Sequence, residues 1–547
     1  MQHFVNDTDM IVSEAIDGFI RSAGGGRLAR LAGDPSIKVV IRTDADRSKV
    51  ALVSGGGSGH EPSHAGFVGR GMLTAAVCGE IFASPSVEAV LAAIRAVTGP
   101  AGCLLIVKNY NGDRLNFGFA AEKARAEGLQ VEMVIVADDI AIADAPRPRG
   151  VAGTLFVHKL AGHAAEVGKD LAAVKAIAEA AAARIQSLGI AISTCKIPGR
   201  EMHDRLPEGQ AELGLGIHGE PGIERIELPA AAEIARIMSA RFRPLEAAHV
   251  PVAMILNNLG GVPNLEMAVL TNDVLGSGVG RQTELLVGPA PLMTALDMRG
   301  FSISVIPLDH DTRNALLAPT EAPAWPAVRE PGDVPTISAG PVGAAAFDPS
   351  DDPDARRAIT TVAKAVIAAE AELNRLDARI GDGDTGTTMA SAARTIIGAL
   401  DALPLADPST LARAIADRMA LVMGGSSGVL LSIFAAAVGH RLGEGASLAV
   451  AFAGGLDRVE HYGGAREGDR TMLDAFRPAV RAMHEGGFAA AALAARAGAE
   501  RTATMTKSRA GRSSYLSSAD LSGVPDPGAV AVAIAFEALA KGWAAPE

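Results

Sequence analysis

The chain has 547 residues, a net charge of −12, 4% aromatic residues and no basic run. That balance argues against a nucleic-acid partner, which needs clustered Lys and Arg and often stacking rings, and against a surface held on anionic lipid. A nucleotide stays open provided metal ions offset its phosphates, and the length calls for two to four domains.

Three scattered cysteines, Cys78, Cys103 and Cys195, lack CxxC spacing and fit a reducing cytoplasm. The first ten residues carry acids and no apolar core, so a secretory leader is not expected. The longest apolar runs, such as "VLLSIFAAAVG", fall short of a bilayer span. A cytoplasmic protein without membrane contact is the expectation.

Residues 1–330 alternate short β-branched runs with helical stretches. The runs "KVALVS", "GCLLIVK", "VEMVIVA", "PVAMILN" and "FSISVIP" give an α/β pattern. Four of them lead into "GGGSGHEPSH", "NYNGD", "DDIAI" and "NLGG", loops with polar groups or glycine. In α/β sheets ligands bind beyond the carboxyl ends of strands, so these loops imply one composite site. A break near 200–245 is expected to divide this half into two α/β subdomains. Residues 331–354 lie in a Pro-, Gly- and Ala-rich stretch and read as a linker. Residues 355–547 are alanine-rich with helical periodicity and almost no strand signal, which predicts an all-α domain.

Within the first half, "VSGGGSGHEPSHAGFVG" (53–69) follows a strand. Its backbone can wrap a small polar ligand beside His60 and His64, the latter also readable as a structural histidine. "KNYNGDRLNFG" (108–118) offers Lys108 and Asp113 at another strand end. "GLGIHGEPG" (214–222) places His218 among glycines, which hold a histidine poorly in a core but present it well from a loop. A histidine, a second histidine and an aspartate on separate loops make a plausible acid–base set.

In the helical half, "LDARIGDGDTGTT" (376–388) gathers Asp377, Asp382 and Asp384 within eight residues. Like charges that close need a cation, and carboxylates suit Mg²⁺ bound together with substrate phosphates. A solvated acidic turn is the plainer alternative, and EF-hand spacing fails for want of the twelfth-position glutamate. Thr385, Gly386, Thr387 and Thr388 supply N–H and O–H donors for phosphate oxygens. Four more small-residue loops precede or interrupt helices: "MGGSSGVL" with Ser426 and Ser427, "GDRTMLDAF" with Arg470, Thr471 and Met472, "GRSSYL" with Gly511 and Arg512, and "DPGA" with Asp526, Pro527 and Gly528. A helix cap explains any one of them; together they suggest helix ends gathered at one rim. No GxxxxGK[ST] and no complete GxGxxG occurs, which disfavours a P-loop ATPase and a Rossmann dehydrogenase.

"GGGSGHEPSHAGFVGRGML", "KNYNGDRLNFG", "RGVAGTLFVHKLAG", "GLGIHGEPG" and "NNLGG" resemble the substrate-binding half of dihydroxyacetone kinases. "LDARIGDGDTGTT", "GGSSG", "GDRTMLDAF" and "GRSSYL" resemble their nucleotide-binding half. The resemblance runs nearly the length of the chain and implies ATP as phosphoryl donor, since both halves are fused. It implies that His218 forms a hemiaminal with a ketone and that Asp113 and His60 act as acid/base and hydrogen-bonding groups. Gly57, Ser58, Gly59 and Lys108 would line that site. Asp377, Asp382 and Asp384 would bind two Mg²⁺ bridging the ATP phosphates. A barrel of about eight antiparallel helices and a homodimer are also implied. Asn111 stands where many relatives have threonine, and the segments "VGPAPLMTALDMRGFS" and "LDHDTRNALLAPTEAPAWP" depart from typical forms, which leaves erythrulose or another small ketose open as substrate. Two other readings are a non-catalytic ketose-binding regulator and an FAD-cyclising lyase side activity.

Overall fold

The computed structural model describes residues 3–142, 147–199, 205–340, 347–510 and 512–542. By internal contact the chain divides into two compact units, residues 1–335 and 336–547.

The first unit holds two six-stranded sheets. The first contains β1 (Leu28–Arg30), β2 (Val39–Arg42), β3 (Ala51–Ser58), β4 (Ala75–Ile81), β5 (Cys103–Lys108) and β6 (Val131–Val136), in the order β1-β2-β4-β3-β5-β6. Strands β4, β3, β5 and β6 run parallel. Parallel neighbours need helical crossovers, which cover both faces; accordingly all eight residues of β3 are buried. Side chains alternate by the period of two. Val53 and Leu105 enter a core under the helices Val87–Val97 and Asn111–Ala126, while Leu52, Leu104 and Ile106 enter a larger core on the opposite face.

The second sheet contains β7 (Gln186–Ala191), β8 (Gln210–Leu213), β9 (Glu224–Glu227), β10 (Val252–Asn258), β11 (Thr283–Ala290) and β12 (Gly300–Pro307), in the order β11-β10-β12-β7-β8-β9. Ile255 and Val287 share the core that Leu52 and Ile106 enter, together with the helix Thr154–Glu166. The change from one sheet to the other therefore falls between residues 137 and 185, on two apolar helices, and not near 200–245 as expected. That stretch instead includes the antiparallel hairpin β8–β9, at the edge of the second sheet. Its connecting loop carries His218.

The second unit is helical. Helices of eight residues or more span Pro353–Ala368, Glu370–Asp377, Thr385–Gly398, Pro408–Val422, Gly425–Gly443, Leu448–Gly463, Leu473–Thr502 and Pro527–Gly542. Asp352 and Asp407 cap the helices that begin at Pro353 and Pro408, each accepting two backbone N–H bonds, with proline at the first position, where no N–H is needed. The helix Leu473–Thr502 kinks at Gly486 and Gly487. Pro353–Ala368 packs on Thr385–Gly398, each longer helix then packs on the next in turn, and Pro527–Gly542 packs back on Pro353–Ala368, which closes a ring. Its core includes Leu456, Phe476, Val480, Ala495 and Phe536. Among the described residues no helix is long and apolar enough to cross a membrane.

Candidate active site

In the first unit, three chain segments converge where β3, β5 and the β8–β9 loop end. His60 follows β3 and is fully buried. Its Nδ1 lies 2.7 Å from the Thr294 carbonyl oxygen and its Nε2 lies 3.1 Å from His218 Nε2. The backbone amides of Thr294 and Leu296 donate to the carbonyls of His60 and Gly59, so the second sheet pins the loop of the first. Lys108 closes β5 and Asp113 sits in the first turn of the helix Asn111–Ala126; both are buried. A Cβ built on Gly56 would lie 3.1 Å from Lys108 Nζ and 3.3 Å from Asp113 Oδ2, so this glycine makes room for their convergence. Burial lowers the Lys108 ammonium, while Asp113 and Glu220 oppose that shift. Burial, then the charges of Lys108 and His218, push the His60 imidazole well below its ordinary range.

His218 keeps 20% of its side chain exposed. Its ring meets the rings of Tyr110, His60 and Phe82 edge-on, at centroid distances of 4.7, 4.9 and 5.4 Å. Its Nδ1 lies 3.0 Å from Glu220 Oε1, and its backbone N–H donates to Glu220 Oε2. Burial raises the Glu220 carboxyl, but the hydrogen bond and charge interaction with His218 outweigh burial and bring it to about 2. The loop itself is braced: Arg149 donates to the Gly214 carbonyl and to Asp139, and the buried Glu212 accepts from Arg205 and from the Gly222 amide. Gly214 and Gly219 take φ of +72° and +82°, backbone that side chains resist.

The sequence thus pointed to His60, Lys108, Asp113 and His218, and the fold brings all four together. It missed Glu220, Tyr110, Phe82 and Gly56. An acid two residues beyond a presented histidine was a legible signal for Glu220; the aromatic box had none, because Phe82 and Tyr110 come from other loops. The Ser58 hydroxyl donates to the Gly79 carbonyl, so its proton is engaged within the sheet. Gly57 and Gly59 abut the backbone and ring of Phe82.

In the second unit one oxygen from each of Asp377, Asp382 and Asp384 can lie within 4.8 Å of the others. A trio of carboxylate oxygens is the hard donor set that Mg²⁺ takes. Asp377 also builds the turn: its Oδ2 accepts the amides of Gly383, Asp384 and Thr385 at 3.0–3.2 Å. Thr385, Gly386, Thr387 and Thr388 form the first turn of the helix Thr385–Gly398. Asn374 engages both the amide and the hydroxyl of Thr387, and Gly386 is buried against the Glu370 carbonyl. Asp526 accepts the Ala529 amide at the start of its helix. Burial raises its carboxyl to about 6; Arg470 lowers it, while Asp474 and Asp377 raise it. Those charges place the 526–529 loop, the 468–474 loop and the acidic turn at one end of the unit.

Arg470 is fully buried; its Nη2 donates to the carbonyls of Val524 and Leu521, while Nε and Nη1 have no hydrogen-bond partner among the described residues. It is a strut beneath the rim, in a left-handed conformation at φ +62°. Thr471 donates its amide to Asp474, and Met472 packs on Gly528 beside the buried Pro527. Ser426 and Ser427 are exposed in the first turn of the helix Gly425–Gly443. Gly511 and the Arg512 side chain lie outside the described residues.

A Dak1 domain matches residues 27–324 and a DAK2 domain matches residues 379–541. The dihydroxyacetone kinase of Citrobacter freundii is 48% identical over 99% of both chains. The chain belongs to the dihydroxyacetone kinase family. It is a kinase with the fold of that family. The crystal structure of the C. freundii enzyme in complex with AMP-PNP and Mg²⁺ superimposes with a TM-score of 0.79 and covers 99% of each chain. The triokinase/FMN cyclase of Rattus norvegicus is 39% identical over 98% of this chain and 97% of its own.

Proposed function

We propose that this kinase transfers the γ-phosphoryl group of ATP to the terminal hydroxyl of a short-chain ketose, dihydroxyacetone or a close relative such as erythrulose. The observation that carries the reading is His218, with Nδ1 on Glu220 and Nε2 facing a site lined by His60, Lys108 and Asp113. A neutral imidazole nitrogen adds to an electrophilic ketone carbon and forms a hemiaminal. Glycerol has no such carbon, so the bond selects ketose from polyol. Asp113 and His60 serve the proton that the carbonyl oxygen gains. The anchored substrate then presents its hydroxyl in one orientation.

Asp377, Asp382 and Asp384 would hold Mg²⁺, two ions on this reading, and that positive charge would supply the compensation that phosphoryl transfer needs. Thr385, Thr388, Ser426, Ser427 and Gly528 stand at the helix starts that would face the nucleotide. A homodimer is the assembly proposed with this reading.

A coupled ADP-release assay over three- to five-carbon ketoses and aldoses tests it, together with crystals soaked in the best ketose. Turnover confined to ketoses, with density continuous to His218 Nε2, is the expected result. Clear ketose density without that bond, or a phosphohistidine trapped at His218, overturns the anchor. The name of the rat relative favours one second reading, an FAD-cyclising side activity at the same metal site. Release of a riboflavin cyclic phosphate from FAD and Mn²⁺ alone checks it.

A further inference from the structure

Two hydrogen-bond partners fix the protons of the histidine pair. The Thr294 carbonyl can only accept, so His60 Nδ1 carries a hydrogen. The Glu220 carboxylate, held ionised, can only accept, so His218 Nδ1 carries one too. If both rings were neutral, each Nε2 would then be a bare lone pair. Yet those two atoms are 3.1 Å apart, a hydrogen-bond distance. Two lone pairs do not make that contact; one proton between them does.

Glu220 faces His218 Nδ1, the Tyr110 ring stands edge-on to the imidazole, Lys108 and Asp113 converge beside Gly56, and Arg149 braces the loop while paired with Asp139. His60 is the poorer holder of the proton, because it is fully buried and its other nitrogen faces a neutral carbonyl. His218 is part exposed and has a carboxylate on its other nitrogen.

We propose that the ligand-free site already holds the proton the adduct needs, as an imidazolium of His218 bound between Glu220 and His60 Nε2. On the reading of His218 as the anchor, ketose capture then balances internally. The proton passes from His218 Nε2 to His60 Nε2. The freed His218 lone pair forms the C–N bond, and the carbonyl π pair moves to oxygen. That oxygen takes the proton from His60 and becomes the hemiaminal hydroxyl. The alkylated ring, still protonated at Nδ1, keeps the positive charge that Glu220 faced at the start. Charge before and after is the same, so capture draws no proton from solution. Glu220 is a positioning residue: it fixes the tautomer and holds the charge without touching the ketose.

Two measurements on the full-length protein test this. The first needs no ketose: ¹⁵N spectra of histidine-labelled protein near pH 7, with His218 assigned through His218→Asn. Both His218 ring nitrogens in the protonated range are expected, and a neutral ring overturns the proposal. In Glu220→Gln the ring is expected to become neutral, whereas Glu220→Asp keeps it charged. The second is calorimetric titration with dihydroxyacetone in phosphate and in Tris buffers, whose ionisation enthalpies differ. Wild type is expected to take up about zero protons per site, and Glu220→Gln about one. Uptake of about one proton by wild type overturns the proposal even if the variant does not fold. Absence of a covalent adduct in crystals with an imidazolium in the spectra overturns the anchor and leaves the proton assignment standing.

Discussion

Gly216 and Glu220 occupy each other's space: a Cβ on Gly216 would stand 1.9 Å from Glu220 Oε2. The glycine is there because the carboxylate folds back under the loop to reach the His218 amide and ring. Gly216→Ala is expected to push Glu220 aside and let the imidazole rotate. Misplacement on the scale of an ångström costs on the order of 100-fold in rate. Because the loop is braced by Arg149 and Glu212, the melting temperature is expected to change little. Steady-state kinetics beside a thermal melt check this; near wild-type turnover would show that Glu220 does not position the ring.

Two aspartates of the acidic turn, Asp384 and Asp377, are expected to separate when turnover and a thermal melt are read together. Asp384→Asn removes a charge from the proposed metal site, and ATP-dependent turnover is expected to fall by at least about 100-fold while ketose binding survives. Asp377→Asn loses turnover too, but it also weakens a carboxylate that accepts three backbone amides. That costs about 2 kcal/mol, or roughly 5 °C in a unit of this size. Equal melting temperatures for the two variants would deny Asp377 its part in building the turn.

Residues 1–335 and 336–547 each have their own core and are expected to fold apart. The first fragment binds ketose and not Mg-ATP, and the second the reverse. Calorimetry on each checks the division. Tight ATP binding by the first fragment would overturn it.

Lys159 gives a pH signature. It is fully buried, and its ammonium donates to the carbonyls of Ala315 and Ala318 at the end of the helix His310–Leu317. Burial lowers its pKa to about 8. Between about 8 and the ordinary lysine value, the unfolded chain still holds a proton that the folded chain has released, so stability rises with pH there; below that window the contribution is constant. Denaturant melts of the first unit between pH 7 and 10 are expected to show the rise, and Lys159→Met to flatten it. A wild-type slope unchanged in the variant would assign it elsewhere.

Much of the site was legible because its chemistry is unusual for its setting. A histidine among glycines and three acids in a turn are costly arrangements without a purpose, so His218 and Asp377, Asp382 and Asp384 stood out. For Arg470 the sequence shows only an arginine beside small polar residues, and it is the tertiary packing of the 521–524 turn that turns it inward. The sheet boundary was misplaced because glycine-rich sequence marks a tight hairpin as readily as a domain break. Gly56 was passed over for Gly57, since within a run of glycines only the fold decides which one faces Lys108 and Asp113.

The closed ring of helices has a consequence for synthesis. Pro353–Ala368 has Pro527–Gly542 as a neighbour, and Arg357 donates to the Gly542 carbonyl across 185 positions of chain. While the ribosome is still translating this half, its first helix has an apolar flank that nothing yet covers. The sheets of the preceding half can settle as they emerge; the ring cannot, because its closing segment comes last. This half therefore cannot close its ring until Pro527–Gly542 has been made, and until then a chaperone has that flank to shield. The same adjacency would let the ring be cut open at another loop and rejoined through a short connection between the two neighbouring helices.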